Sequence, residues 1–106
     1  MRVFVTIMAF LALQTTLFGS SHYGKILYKK KFFNICNMYG YEFAQKHTQD
    51  EWDQLKENNQ LIKEWSNICP QGKTQFLNLR KRDKKNLFDF VWTYASDSGE
   101  IPSCSE

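Results

Sequence analysis

Three cysteines, Cys36, Cys69 and Cys104, and two histidines, His22 and His47, are the side chains of this 106-residue chain best suited to covalent or ligand chemistry. Two cysteines can close a disulfide, and a cysteine beside a histidine can act as a nucleophile with its base. Cys36 and His47 would make such a pair, but only the fold can bring them together, and His47 reads more simply as a surface residue at a helix start. The acids Asp50, Glu51 and Asp53 form a short cluster. They read as first-turn charges that the helix dipole favours, in preference to metal ligands. No H-E-x-x-H, G-x-S-x-G, C-x-x-C or phosphate-cradling glycine loop occurs. The expectation is a protein that is not an enzyme, with no catalytic residues and no metal site.

Disulfide chemistry needs an oxidising compartment, and the first residues supply a route to one. Arg2 precedes an apolar run from Val3 to Leu13, broken only by Thr6 and ended by Gln14, Thr15 and Thr16. That run is shorter than the roughly 20 residues a membrane-spanning helix needs. Gly19, Ser20 and Ser21 then offer small residues to a signal peptidase. Residues 1–21 therefore read as an export signal and 22–106 as one domain, periplasmic or secreted, with no transmembrane segment in the mature chain. A net charge of +3 with 42% hydrophobic residues excludes a chain held open by charge repulsion. Nucleic acid is not an expected partner for an exported protein.

In such a compartment two of the three cysteines pair, as 36–69, 36–104 or 69–104. Cys69 precedes Pro70 and Cys104 follows Pro102, so both belong to loop or tail. Two such residues meet without distorting a helix, which makes Cys69–Cys104 the expected bridge and leaves Cys36 over, buried and inert. A bridge closing a loop of about 35 residues stabilises by roughly 3–4 kcal/mol in the chain-entropy model.

The elements that must position these residues read as all-α. The spacing predicts a first helix from Tyr23 to about Cys36, with Ile26, Leu27 and Phe33 near one face and the Lys29-Lys30-Lys31 run interrupting the stripe. Thr48 followed by Glu51 is a capping box. It opens a second helix in which Trp52, Leu55, Ile62 and Trp65 recur at helical spacing up to Cys69-Pro70. Pro70 to Lys81 reads as a loop. Asp83 is the expected N-cap of a third helix. Its apolar residues, from Leu87 to Ala95, cover too wide an arc to pack against a single neighbour.

Gly24, Leu27 and Tyr28, followed by Phe33-Asn34-Ile35-Cys36-Asn37-Met38-Tyr39-Gly40, resemble the haem-attachment region of the small c-type cytochromes. That family places a glycine and an aromatic on its first helix and ends the helix with CxxCH, often followed by glycine. Its two thiols add to the haem vinyl groups and its histidine ligates the iron. The likeness covers residues 24–40 in motif and about 22–96 in the order of elements. It implies a small three-helix cytochrome-c-like domain whose last helix crosses the first near Gly24 to Leu27.

The departures from that pattern bear on function. Cys36 keeps the second thiol position, but Phe33 stands at the first and Asn37 at the histidine, and Met38 is the last methionine of the chain. One thiol allows at most one thioether bond, and asparagine is a poor iron ligand. His22 and His47 are the residues left that could ligate haem non-covalently. The resemblance thus implies a protein without cofactor, in which Phe33, Trp52, Trp65, Phe88 and Trp92 fill the volume of the lost haem. Action would be non-catalytic, through contact with a protein partner. Arg80, Lys81, Arg82, Lys84 and Lys85 form a candidate docking patch, with Lys29 to Lys31 as a second basic run. Two alternatives stay open: an electron carrier with atypical haem binding, and a disulfide-stapled helical binding module unrelated to cytochromes.

Overall fold

Gly24, Tyr28, Phe32 and Cys36 recur every four residues, and all four are buried. In a helix that spacing makes one continuous stripe. A computed structural model of the chain describes residues 19–100, and among these every regular element is helical. The fold is all-α. Helix α1 occupies residues 19–31 of the described region. After a hitch at Phe32 it continues as α2 (Phe33–Cys36). The turn stays tied across the hitch, because the Phe32 amide donates to Tyr28 O and the Cys36 amide to Phe32 O, both at 2.8 Å. The inward face is therefore the 24/28/32/36 stripe. Ile26 lies exposed and Leu27 and Phe33 half-buried, so the expected face is one step away from the observed one.

Short helices follow: α3 (Gly40–Ala44), α4 (Gln49–Glu57) and α5 (Leu61–Ile68). The expected second helix is divided between α4 and α5, because Asn59 takes a left-handed conformation, φ 59°. Its amide donates to Lys56 O at 3.2 Å and the Gln60 amide to Leu55 O at 2.8 Å. This is the double hydrogen bond of a Schellman motif. Asparagine enters the left-handed region more readily than most residues, so Asn59 ends α4 although the apolar period runs on. The capping box is present as expected. Glu51 N donates to Thr48 Oγ1 at 3.2 Å, and Thr48 N donates to Glu51 Oε1 at 2.8 Å.

The segment expected as loop holds a 3-10 turn (Pro70–Gly72) and α6 (Lys73–Leu77), and the long final helix is α7 (Lys81–Thr93). Asp83 is not its cap. Arg80 holds the cap position with extended backbone, and Asp83 sits in the first turn, buried. There its carboxylate meets Arg80 Nε at 3.2 Å and Arg82 Nε at 3.8 Å. A carboxylate in the first turn favours the dipole, which offsets the basic residues beside it.

As its wide apolar arc requires, α7 packs against several elements at once. It lies against α3 and α4 and crosses α1 at Gly24. A β-carbon added to Gly24 would stand 2.0 Å from Asn86 O and 2.8 Å from Phe90 Cβ. The backbones approach closely because no side chain lies between them. Ser20 fastens the same pair of helices, its hydroxyl bonding Asn86 Oδ1 at 2.9 Å and also Asp89. Lys85 Nζ reaches Ser20 Oγ at 3.2 Å.

The export-signal reading of residues 1–18 falls outside the described residues. Residues 19–21 belong to α1, where Ser20 is buried. A cut on the N-terminal side of Ser20 keeps this hydrogen-bond network; a cut after Ser21 removes it. No helix among the described residues is long and apolar enough to cross a membrane.

Gly24→Ala is expected to destabilise the protein by about 3 kcal/mol or more, since the added methyl meets helix backbone and cannot be relieved by a rotamer change. Urea denaturation measures it; an unchanged midpoint would mean that α1 and α7 do not cross at this position.

Candidate functional site

Cys36 ends α2 and is buried as expected, but it is not the cysteine left over. Its sulfur is joined to Cys69, with the Cα atoms 5.4 Å apart and 33 residues between them in sequence. This corrects the expected Cys69–Cys104 bridge. The i, i+4 stripe carries Cys36 to the inner side of the first helix, opposite the turn that begins at Cys69, so a helix end meets a loop without distortion. Cys104, the cysteine left over, lies outside the described residues, as does the tail expected to reach Cys69.

Around the disulfide the interior is built of rings. Phe32 stacks on Phe76 with centroids 4.3 Å apart and planes 8° from parallel. Phe43 and Trp65 lie 6.0 and 5.9 Å from Phe76, and Tyr28 lies 5.2 Å from Phe43. Gly72 fits beneath, where an added β-carbon would lie 3.2 Å from Cys69 Sγ and 3.1 Å from Phe76. Of the five rings expected to fill the interior, Trp52, Trp65 and Phe88 are buried and Phe33 is half-buried. Trp92 is not among them. It lies 38% exposed on the outer side of α7, because the helix turns Phe88 and Val91 inward instead.

The central rings Tyr28, Phe32, Phe43, Phe76 and Phe90 were not among the five expected. For Phe32 the signal was its place four residues from Tyr28 and from Cys36; for Phe76, inside a segment read as loop, there was none. Trp65 Nε1 is buried without a hydrogen-bond partner among the described residues, whereas Trp52 Nε1 donates to Ala44 O at 2.9 Å.

Asn37, which stands where the resembled motif has its histidine, is left-handed at φ 52° and terminates α2, its amide donating to Phe33 O at 3.0 Å. Its task here is conformational. His47 faces Glu64 through Nε2 at 2.5 Å and Glu51 through Nδ1 at 3.5 Å, with its ring edge-on to Trp52. With Cys36 bonded to Cys69 there is no Cys36 thiol for His47 to activate. His22 is exposed beside Tyr23. Asp50 and Glu51 lie in the first turn of α4 as expected, whereas Asp53 falls beyond it, since the helix starts at Gln49; no group of three or more metal-ligating side chains among the described residues could hold an ion.

The basic patch is divided by its partners. Arg80 and Arg82 pair with Asp83, while Lys85 pairs with Asp89 at 2.9 Å. Lys81 is exposed and Lys84 half-buried. A cleft between α1 and α7 brings Lys30, from the other basic run, to the same opening as Arg82. Comparison with protein-family models, curated proteins and solved structures finds no match to this chain.

Cys36→Ala is expected to cost about 3–4 kcal/mol of stability, whereas Cys104→Ser leaves the denaturation midpoint where it was. The reverse ranking would restore the Cys69–Cys104 bridge.

The Glu51 carboxyl is held below the ordinary glutamate pKa chiefly by the Thr48 backbone N–H, which outweighs desolvation, with lesser help from the Thr48 hydroxyl and His47. A lowered carboxyl stabilises the fold above its unfolded pKa, and the gain is lost as pH falls through the folded value. NMR titration should therefore place the Glu51 midpoint under that of an unstructured glutamate. Glu51→Gln should flatten the acid limb of stability against pH; a wild-type slope in that variant would remove Glu51 from the account.

Proposed function

We propose that this chain is an exported protein on a cytochrome-c-like scaffold that holds no haem, does no catalysis, and works by surface contact with a protein partner. The observation that carries the reading is the bond between Cys36 and Cys69. On the cytochrome pattern Cys36 is the remaining haem-attachment thiol, and here its sulfur is engaged elsewhere.

Three further features support the same reading. The first and last helices cross at Gly24, where the resemblance expects them to. Asn37 at the ligand position ends a helix through its left-handed backbone. Stacked rings, led by Phe32 on Phe76, lie beside the disulfide. These residues do not fit covalently attached haem. A cavity left by a lost cofactor costs about 24 cal/mol per cubic ångström, and rings packed into the core relieve that cost.

The disposition of the charges supports action through the surface. Its titratable neighbours are held in pairs, His47 with Glu51 and Glu64, and Asp83 with Arg80 and Arg82. Cationic side chains meanwhile stand exposed on α1 and α7.

Absorption spectroscopy and intact mass of the exported protein test the reading together. The expected result is no Soret band and a polypeptide mass lowered by the two hydrogens of one disulfide, with the N-terminus near residues 19–21. A Soret band that survives acid-acetone extraction would replace this reading with that of an electron carrier.

A further inference from the structure

The two basic runs, some fifty residues apart in sequence, meet at one cleft. Tyr23, Ile26 and Leu27 of α1 line its apolar side, and Lys30 stands on the same helix one turn further on. Arg82 and Asp83 of α7 form the facing wall. The cleft, open to solvent on one side, offers about 530 Å³, room for a bulky side chain. Tyr23 is 60% exposed within it. Lys30 is exposed and makes no ion pair among the described residues. The carboxylate of Asp83 is shared by Arg80 and Arg82, whose side chains are each 71% exposed. Cations therefore outnumber acids around an apolar floor.

We propose that this cleft binds an acidic segment of a protein partner, seating a bulky apolar side chain against Tyr23, Ile26 and Leu27 while flanking carboxylates meet Lys30 on one wall and Arg82 on the other. The inference rests on the surface-contact reading above and names the kind of partner. Charge complementarity selects an acidic occupant, and the apolar floor requires a hydrophobic anchor, since desolvated anchors carry most binding energy. Concavity separates a peptide from a lipid surface. A bilayer meets side chains that protrude, whereas Lys30 and Arg82 stand across a recess from each other.

The test uses the purified exported protein, first shown spectroscopically to be free of haem, in selection from a displayed library of random short peptides. Enriched peptides should combine two or more Asp or Glu with a Leu, Met, Phe or Trp. Lys30→Glu should weaken them by about fivefold or more, the scale of an exposed ion pair lost and reversed. Ile26→Asp should weaken them comparably. Raising salt from about 0.05 M to about 0.5 M should also weaken binding.

Both positions are exposed, and thermal unfolding of each variant verifies that the fold is kept. Enrichment of peptides without acidic residues, binding indifferent to both variants, or no enrichment at all overturns the proposal. So does Lys30-dependent sedimentation with phosphatidylglycerol vesicles in place of peptide binding, which would assign the cleft to lipid. A Soret band would instead remove the haem-free reading, whatever the peptides do.

Discussion

One joint holds the two halves of this chain together. The first helix reaches the rest of the molecule through the stripe Gly24, Tyr28, Phe32 and Cys36, and each residue makes a different attachment. Gly24 admits the backbone of α7, Tyr28 donates its hydroxyl to Met38 O at 2.8 Å, Phe32 stacks on Phe76, and Cys36 is bonded to Cys69. The covalent bond and the ring stack lie side by side. The disulfide restricts the unfolded chain, and the stack adds dispersion and burial in the folded one. A chain this small buries a limited fraction of its surface, so a cross-link beside its densest aromatic contact stabilises the region where most elements converge.

Two asparagines act through backbone conformation. Asn37 and Asn59 both adopt left-handed backbone and both end helices. Neither residue needs a ligand or a substrate to account for it. Cys36 is likewise accounted for by a structural bond. Under the proposed haem-free reading, the same stretch of chain that would fix a cofactor instead fixes helix ends and a cross-link. The electrostatics follow the same division. Buried Asp83 and half-buried His47, Glu64 and Asp89 are paired, and exposed Lys30 and Arg82 border a cleft between the first and last helices.

Much of the architecture was legible in local pattern. The capping box of Thr48 and Glu51 and the apolar arc of α7 each declare themselves within a few residues, because hydrogen-bond geometry and helical periodicity are local properties. The inward face of the first helix was harder to read. Lys29 to Lys31 interrupt the hydrophobic period, and Gly24 and Cys36 carry little weight in a search for large apolar residues, although both belong to the buried stripe. The division of α4 from α5 was hidden for the opposite reason: Trp52, Leu55, Ile62 and Trp65 keep helical spacing across a break that the backbone of Asn59 imposes.

By itself the sequence determined that the chain folds as helices and that the second helical segment starts at a capping box. It also limited the disulfide to three possible pairs. Only the tertiary structure chose among them, because a pairing depends on which way a helix face turns and where a distant loop returns. For the same reason it alone decided that Trp92 faces outward, that Phe76 completes the central stack, and that two basic runs share a cleft. Those are contacts between residues far apart in the chain, and no local period encodes them.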